Sequence, residues 1–502
     1  MSSQNPSPLK ILFAASEAQP LIKTGGLADV AGSLPVALTH FDHDVRLVLP
    51  AYPKAVESSI PLRTAATLRL PGSSENVRVL EGTLDKKLPL YLVDAPGLFD
   101  RPGNPYTDAA GGDWSDNPQR FALFCRAVVT LALDQAGLGW RPDLVHCNDW
   151  QTGLVPAMLS DEGSRPATTF TIHNLAYQGV FDKSSFEQLQ LPAKLWTPDG
   201  LEFHQKLSFI KGGLAFADWV TTVSPTYARE ILTPAFGYGL EGLLQHRVDR
   251  LQGVLNGIDY HAWDPASDPA IAQHFDVSTF NLKRVNKLKL QQELGLPQND
   301  DAFLLGHIGR LVEQKGVDMI LDIVPGLVKQ ENTQLVLLGS GDPRLEQALR
   351  EAAAQNPERV AIYIGYDEQL AHRVEAACDC FLMPSRFEPC GLNQLYSLRY
   401  GAVPIVHRTG GLADTVVDAT PRNLLDGVAT GFVFDRPDSV ALWQAVERAI
   451  EFRKRPGVWW EKLAGNGMRQ DFSWDASALH YLEIYQKAID APAPNPIAET
   501  AH

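Results

Sequence analysis

The sequence predicts an α/β protein made of two doubly wound domains facing a cleft. Short apolar runs alternate with amphipathic stretches along the whole chain, the pattern of strands buried on both faces between helices. Its 502 residues suggest two to four domains at roughly 100–200 residues each, every one large enough to bury a core. A third observation is internal: Thr24-Gly25-Gly26-Leu27-Ala28-Asp29 recurs as Thr409-Gly410-Gly411-Leu412-Ala413-Asp414. Each half thus carries the same Gly-Gly turn at a helix start, and ligand-binding loops at the carboxyl ends of two such sheets would meet in the cleft between them.

Residues 11–15 read as a first buried strand, followed by the Gly25-Gly26 turn and a helix carrying Leu27, Val30, Leu34 and Leu38. Residues 45–49 form a second strand, and the alternation over 64–93 predicts an antiparallel insertion. The βα rhythm resumes with a helix over 119–133, a strand over 144–147 and a strand over 168–172 that ends at His173-Asn174. It pauses at Val254-Leu255-Asn256-Gly257-Ile258-Asp259, before a polar linker at 264–268 and a basic helix near 281–294. Strands over 303–308, 334–338, 360–364, 380–383, 403–406 and 432–434 then open a second series. The Pro/Ala-rich tail from 491 reads as frayed.

The 44 Lys+Arg against 59 Asp+Glu leave a net charge of −15. A surface this acidic repels nucleic-acid backbones and anionic membranes, so neither is a partner, and a polyanion would need a local basic pocket. Five cysteines (Cys125, Cys147, Cys378, Cys380, Cys390) without CxxC spacing argue for buried thiols in a reducing compartment and against a zinc site. The opening MSSQNPSPLK lacks the layout of a signal peptide, and no apolar run approaches the ~20 residues of a membrane span. The expected location is the cytoplasm.

The chemistry concentrates at strand-to-helix loops. Gly25-Gly26 aims backbone N–H groups at an anion, with Lys23 beside it to supply charge. Gly309-Arg310-Leu311-Val312-Glu313-Gln314-Lys315-Gly316 places Arg310 and Lys315 on one loop, where a diphosphate would occupy both. In Ser385-Arg386-Phe387-Glu388-Pro389-Cys390-Gly391-Leu392, Pro389 fixes the turn and Glu388 is placed to accept sugar hydroxyls or to cap a helix. Cys390 reads as a small packed residue or a nucleophile. His173-Asn174 and Asn148-Asp149-Trp150 end neighbouring strands at the edge that carries Gly25-Gly26. Tyr366, after Gly365, is placed to stack on a base or to cover a core edge. Phosphate-loop, HExxH and GxSxG motifs are absent, and Arg344 stands where Gly339-Ser340-Gly341 would need its third fingerprint glycine.

Together, Lys23-Thr-Gly-Gly-Leu-Ala-Asp-Val30, His173-Asn-Leu-Ala-Tyr-Gln-Gly179, Val254-Leu-Asn-Gly-Ile-Asp259, Arg310 to Gly316 and Glu388-Pro-Cys-Gly-Leu392 resemble the bacterial glycogen synthase family, which includes the starch synthases. The resemblance covers nearly the whole chain. It implies the GT-B glycosyltransferase fold of two Rossmann-like domains, with a catalytic and acceptor domain over 1–252, a nucleotide-sugar domain over 253–474, a helix over 475–490 crossing back to the first domain, and a flexible tail over 491–502. It implies transfer of glucose from ADP-glucose to the non-reducing end of glycogen or a malto-oligosaccharide, with retention and without metal or cofactor; a homo-oligomer is compatible with it. Lys23, Arg310 and Lys315 would bind the diphosphate with the Gly26 N–H. His173 and Glu388 would hold glucose hydroxyls, Asp149, Asn256 and Glu17 would line the sugar site, Tyr366 would pack on adenine, and Asp29 would lie near nucleotide or acceptor. Cys390, Gly391, Leu392 and Asn393 would complete the donor site. Tyr396 departs from the second glutamate of related retaining enzymes, Asn393 from a frequent threonine and Gln151 from a frequent histidine. Competing readings are an epimerase or a phosphorylase on the same architecture, and an inactive glucan-binding protein.

Overall fold

The computed structural model describes residues 8–73, 75–84, 88–108 and 111–494. The chain forms two compact units, one of the residues up to Gly257 together with those from Trp474 on, the other of Ile258–Ser473. The sequence reading divides the chain at 252/253 and 474/475. Of the tail expected over 491–502, residues from 495 on lie outside the described residues, as do residues 1–7 of the opening segment.

In the first unit, strands β1 (Lys10–Ala14), β2 (Asp44–Pro50), β3 (Arg63–Leu68), β4 (Val77–Leu84), β5 (Leu88–Asp94), β6 (Leu144–Asn148), β7 (Ala167–Ile172), β11 (Trp219–Thr222) and β12 (Leu251–Gly253) make a sheet in the order β12-β11-β7-β6-β1-β2-β5-β4-β3. Pairing is parallel from β12 to β5 and antiparallel from β5 to β3, where the sequence places its insertion. Central strands such as Leu-Val-His-Cys-Asn in β6 are buried on both faces, as parallel strands under helices must be. The short strands β8 (Val180–Asp182), β9 (Glu202–Phe203) and β10 (Lys206–Ser208) form a separate antiparallel sheet.

The last helix, Trp474–Asp490, belongs to this unit. Trp474, Ala478, Tyr481, Ile484, Tyr485 and Ala488 enter the core shared with Leu27, Val30, Leu34 and Leu38 of the helix Gly26–Thr39. Its Tyr485 hydroxyl lies 2.7 Å from Nδ1 of His146, whose Nε2 lies 2.6 Å from Thr171 Oγ1. Burial lowers the His146 pKa to about 3, so this histidine is a neutral core hydrogen-bonder.

The second unit holds β13 (Phe303–Ile308), β14 (Thr333–Gly339), β15 (Val360–Ile364), β16 (Cys380–Met383), β17 (Val403–His407) and β18 (Phe432–Phe434), all parallel, in the order β15-β14-β13-β16-β17-β18. Apolar clusters cover both faces of this sheet. The order runs outward from β13 in one direction and then restarts with β16 in the other; in the first sheet it reverses likewise between β1 and β6. At such a reversal consecutive loops leave in opposite directions and open a crevice at the carboxyl ends of the strands, where ligands of this fold class bind. The cysteines are all buried, and none is in a disulfide. Among the described residues no helix is long and apolar enough to cross a membrane.

The packing of the last helix gives a direct test. Ile484→Ala, at a fully buried position, should cost about 2–5 kcal/mol in urea unfolding of the full chain. Leu479→Ala, on the exposed side of the same helix, should stay within about 0.5 kcal/mol of wild type.

Candidate active site

At the β1/β6 reversal of the first unit, the chain leaves β1 through Ser16 and Glu17 and folds back on the helix Gly26–Thr39. The Gln19 N–H donates to the Ala28 carbonyl at 2.9 Å. The buried Glu17 carboxylate accepts the Thr24 N–H. Burial, opposed by these backbone bonds, pushes the Glu17 pKa up to about 7. Lys23 Nζ pairs with Asp29 Oδ1 at 2.7 Å. A Cβ at Gly26 would meet nothing within 4 Å, and one at Gly25 only Glu17 Oε1 at 3.8 Å. The loop therefore presents open space before a helix start, with a cation at its side.

From β6 comes Asp149, held in the left-handed region at φ 55°, a costly conformation for a residue with a Cβ. Its Oδ1 accepts the His173 N–H at 2.8 Å, and desolvation lifts its pKa to about 7. Asn148 fixes the state of the His173 ring. Its Nδ2 donates to the Ala14 carbonyl at 3.0 Å, so its Oδ1 must accept from His173 Nε2 at 2.9 Å. Burial drives the His173 pKa down to about 3, so the ring is neutral, with its proton on Nε2 and its lone pair on Nδ1. Asn256 is buried, and its Oδ1 has no hydrogen-bond partner among the described residues.

In the second unit, the loops after β13 and β16 carry the cations and the glutamate. Lys315 Nζ lies 2.5 Å from Oε2 of the buried Glu388, which also accepts from Ser385 Oγ at 3.0 Å. Arg310 is exposed, and its Nη2 donates to Gln314 Oε1 at 3.1 Å. Gln314 Nε2 in turn donates to the Phe387 carbonyl at 3.1 Å, joining the two loops. Arg386 is committed elsewhere, in a two-pronged pair with Asp318 at 2.8 and 2.6 Å that holds the Asp318 pKa below the usual carboxylate range. Tyr366 follows Gly365 (φ 146°) at the end of β15 and is 76% exposed, so it covers no core edge. Cys390 is buried, Gly391 turns the chain at φ 75°, and Leu392 precedes the helix Asn393–Tyr400. Asn393 Nδ2 donates to the Ile308 carbonyl at 2.7 Å, tying that helix to β13.

The two copies of the repeated hexapeptide do different work. A Cβ on Gly410 would stand 1.9 Å from the Glu388 carbonyl oxygen, and one on Gly411 2.1 Å from that of Cys390. The second Gly-Gly exists so that the short helix Gly410–Thr415 can lie against the backbone of the Glu388 loop. Gly339 and Gly341 are explained the same way, since their Cβ atoms would strike the carbonyls of Gly309 and Leu311 at 1.9 and 2.4 Å. They let the β14 loop pack against the loop that bears Arg310.

A family model described as starch synthase catalytic domain matches residues 10–246, and one described as glycosyl transferases group 1 matches residues 289–462. Glycogen synthase 2 of Nitrosococcus oceani is 54% identical to this chain, covering 96% of it and 97% of that protein. A glycogen synthase of Thioalkalivibrio sulfidiphilus is also 54% identical, covering 96% and 100%. The chain belongs to the glycogen and starch synthase family. The catalytic domain of starch synthase IV from Arabidopsis thaliana, solved bound to ADP and acarbose, is 34% identical with a TM-score of 0.87, covering 96% of this chain and all 100% of that one. Sucrose-phosphate synthase from Thermosynechococcus elongatus, at 18% identity and a TM-score of 0.60 over 95% of this chain and 98% of its own, shares the fold alone. That fold is the GT-B glycosyltransferase fold.

Within this glycogen synthase architecture, Tyr396 stacks at 3.9 Å and 11° on Trp263, whose other face stacks at 3.7 Å and 12° on His372. An aromatic sandwich thus occupies the position where related enzymes often carry a second glutamate. Four residues assigned no role from the sequence enter the site. Asn148 and Gln314 have partners on other segments, which spacing cannot disclose, and Ser385 bonds Glu388 three residues further along its own loop. His307 lies in the apolar run of β13; its Nδ1 is 2.9 Å from the Leu382 carbonyl, while its buried Nε2 has no partner among the described residues. Its pKa is lowered to about 4, by burial first. A histidine inside an otherwise apolar strand was the available signal.

Two outcomes follow from this geometry. Gly411→Ala should lose about 3 kcal/mol or more in denaturant unfolding, because a methyl group would meet backbone, whereas Gly26→Ala should unfold within about 1 kcal/mol of wild type. Asp149 binds its proton more tightly folded than unfolded, so it opposes folding increasingly as pH rises from about 4 to about 7. The stability of Asp149→Asn relative to wild type should therefore rise across that window and level off above it, as read from urea midpoints at pH 4, 6 and 8.

Proposed function

We propose that this protein, a glucosyltransferase that elongates glycogen, uses ADP-glucose as donor and adds to the non-reducing end of an α-1,4-glucan with retention of configuration. The observation that carries the reading is the Arg310, Lys315 and Glu388 constellation at the β13/β16 reversal. Two cations on one loop match a diphosphate, and the buried carboxylate next to them matches sugar hydroxyls. Tyr366, exposed at the end of β15, offers a ring for adenine. The ADP bound to the Arabidopsis starch synthase supports adenine as the base.

The steps follow from charge. Breaking the C1–O bond leaves its electron pair on the diphosphate and positive charge on the sugar ring. Arg310, Lys315, Lys23 and the Gly26 N–H stabilise the developing anion more than the ground state, which is what accelerates the step. Lys315 moves from Glu388 to the diphosphate as donor binds, releasing the carboxylate for glucose hydroxyls. His173 accepts a further glucose hydroxyl at Nδ1, and Asp149, Glu17 and Asn256 line the sugar. The acceptor 4-hydroxyl attacks C1 on the face the diphosphate leaves. Its proton passes to the departing phosphate oxygen, so the new C1–O4 bond keeps the original configuration. Asp29 holds Lys23 until the anion arrives, and Cys390, Gly391, Leu392 and Asn393 shape the turn that presents Glu388. The five buried thiols fit the reducing cytoplasm.

Incubating purified protein with glycogen and ADP-glucose, and scoring ADP release and glucan growth, tests the reading. Arg310→Ala should lower turnover by about 10²–10³ with an unchanged unfolding midpoint, since Arg310 is exposed. Absence of glucan growth by the wild-type protein would sink the assignment.

A further inference from the structure

The loop that carries His173 continues to Tyr177, which is 56% exposed. Four residues span at most about 14 Å, so the Tyr177 backbone lies within that distance of His173, assigned above to a glucose hydroxyl. The loop is firmly held. Leu175 N–H donates to the hydroxyl of the buried Tyr227 at 3.0 Å, and Tyr177 N–H to the Asn174 carbonyl at 3.1 Å. Gly179, at φ 58°, leaves no room between its backbone and the Trp150 indole, which a Cβ would approach to 2.4 Å.

A second exposed phenol stands beside the first. Tyr238, 42% exposed, is held in the left-handed region at φ 50°, a strained state for a bulky side chain. Its carbonyl accepts from Gln178 Nε2 at 3.2 Å, so the residue after Tyr177 ties the two segments together. The Tyr238 hydroxyl is raised in pKa by desolvation first and then by Tyr177 beside it. Gly239 next to it is packed closely, since a Cβ there would come within 3.1 Å of Phe203 Cζ. Two large rings are therefore kept at the surface by a buried tyrosine, a side-chain tie and a strained turn, although neither fills the core.

We infer that Tyr177 and Tyr238 form an aromatic platform that binds the acceptor glucan, with the apolar faces of successive α-glucosyl units against the phenol rings. The inference rests on the glucan-elongating reading above. Glucose presents C–H faces that an aromatic ring desolvates, and hydroxyls that a phenol at its wet end can bond. A rigid ring has little side-chain entropy to lose on binding, which suits it to hold a flexible polymer. The platform continues from His173 along one loop, so a chain bound on it leads toward the residues assigned to the transferred sugar.

The test uses the full-length protein with maltoheptaose. Tyr238→Gly removes the ring and relaxes the backbone at φ 50°, so it keeps the fold; Tyr177→Ala removes the other ring and leaves its backbone bond. Each should raise both the calorimetric Kd for maltoheptaose and its KM as acceptor about tenfold, with the KM for ADP-glucose within about twofold. Tyr177→Phe should retain most of the affinity. Unchanged maltoheptaose Kd in both ring-deleting variants would overturn the platform. Because that Kd is read without turnover, it judges the platform even if the wild-type protein fails to extend glycogen, an outcome that instead overturns the functional reading.

Discussion

Positive charge gathered at a helix start must be neutralised until its anion arrives, because the helix dipole and desolvation both oppose it. The Lys315–Glu388 pair at 2.5 Å and the Lys23–Asp29 pair at 2.7 Å meet that requirement. The first depends on much of the second unit. Glu388 is placed by the turn at Pro389 to Gly391, the turn is backed by Gly410 and Gly411, and the Lys315 loop is joined to it through Gln314. In a chain of net charge −15, a cation without such a partner would be drawn to acidic surface elsewhere. On the proposed function, the carboxylate that neutralises Lys315 is also the one that recognises sugar, so that the neutral resting state and the sugar site would be parts of one device.

Strand order determines which loops can cooperate. Glu17 and Lys23 follow β1, and Asp149 follows β6; Arg310 and Lys315 follow β13, and Glu388 follows β16. Each group thus straddles a reversal of strand order in its sheet, between β1 and β6 in the first and between β13 and β16 in the second.

Much of this was legible in the sequence. Every parallel strand expected in the second half is found, because strands buried on both faces leave uninterrupted apolar runs that helices between them punctuate. Polar residues past strand ends were legible for the same reason: His173 abuts the apolar run of β7, and Glu388 sits in the loop that follows β16. What the sequence withheld was pairing at a distance. Asn148 looked like a neighbour of Asp149, yet its role comes from Ala14 in β1 and His173 just past the end of β7. The repeated hexapeptide misled in the opposite way. Identical letters suggested one function, but the first Gly-Gly opens onto space and the second is required by a backbone pressed against it. Glycine marks a lack of room for a Cβ as readily as it marks a ligand, and sequence does not distinguish the two.

The electrostatic character of the two units also differs in a way that suits the assigned chemistry. The second unit carries cations, one of them exposed, which the proposed mechanism directs to the group that gains negative charge when the donor breaks. The first offers a neutral His173 and two carboxyls, Glu17 and Asp149, whose pKa values burial raises to about 7. In the first unit, a histidine held neutral by Asn148 and by burial adds no positive charge and still offers a lone pair to a hydroxyl. Two carboxyls poised near neutrality add negative charge when ionised, and the backbone N–H bonds to Glu17 and Asp149 favour that form. The same desolvation that makes these groups costly to the fold gives their charge its reach, since little water remains to screen it.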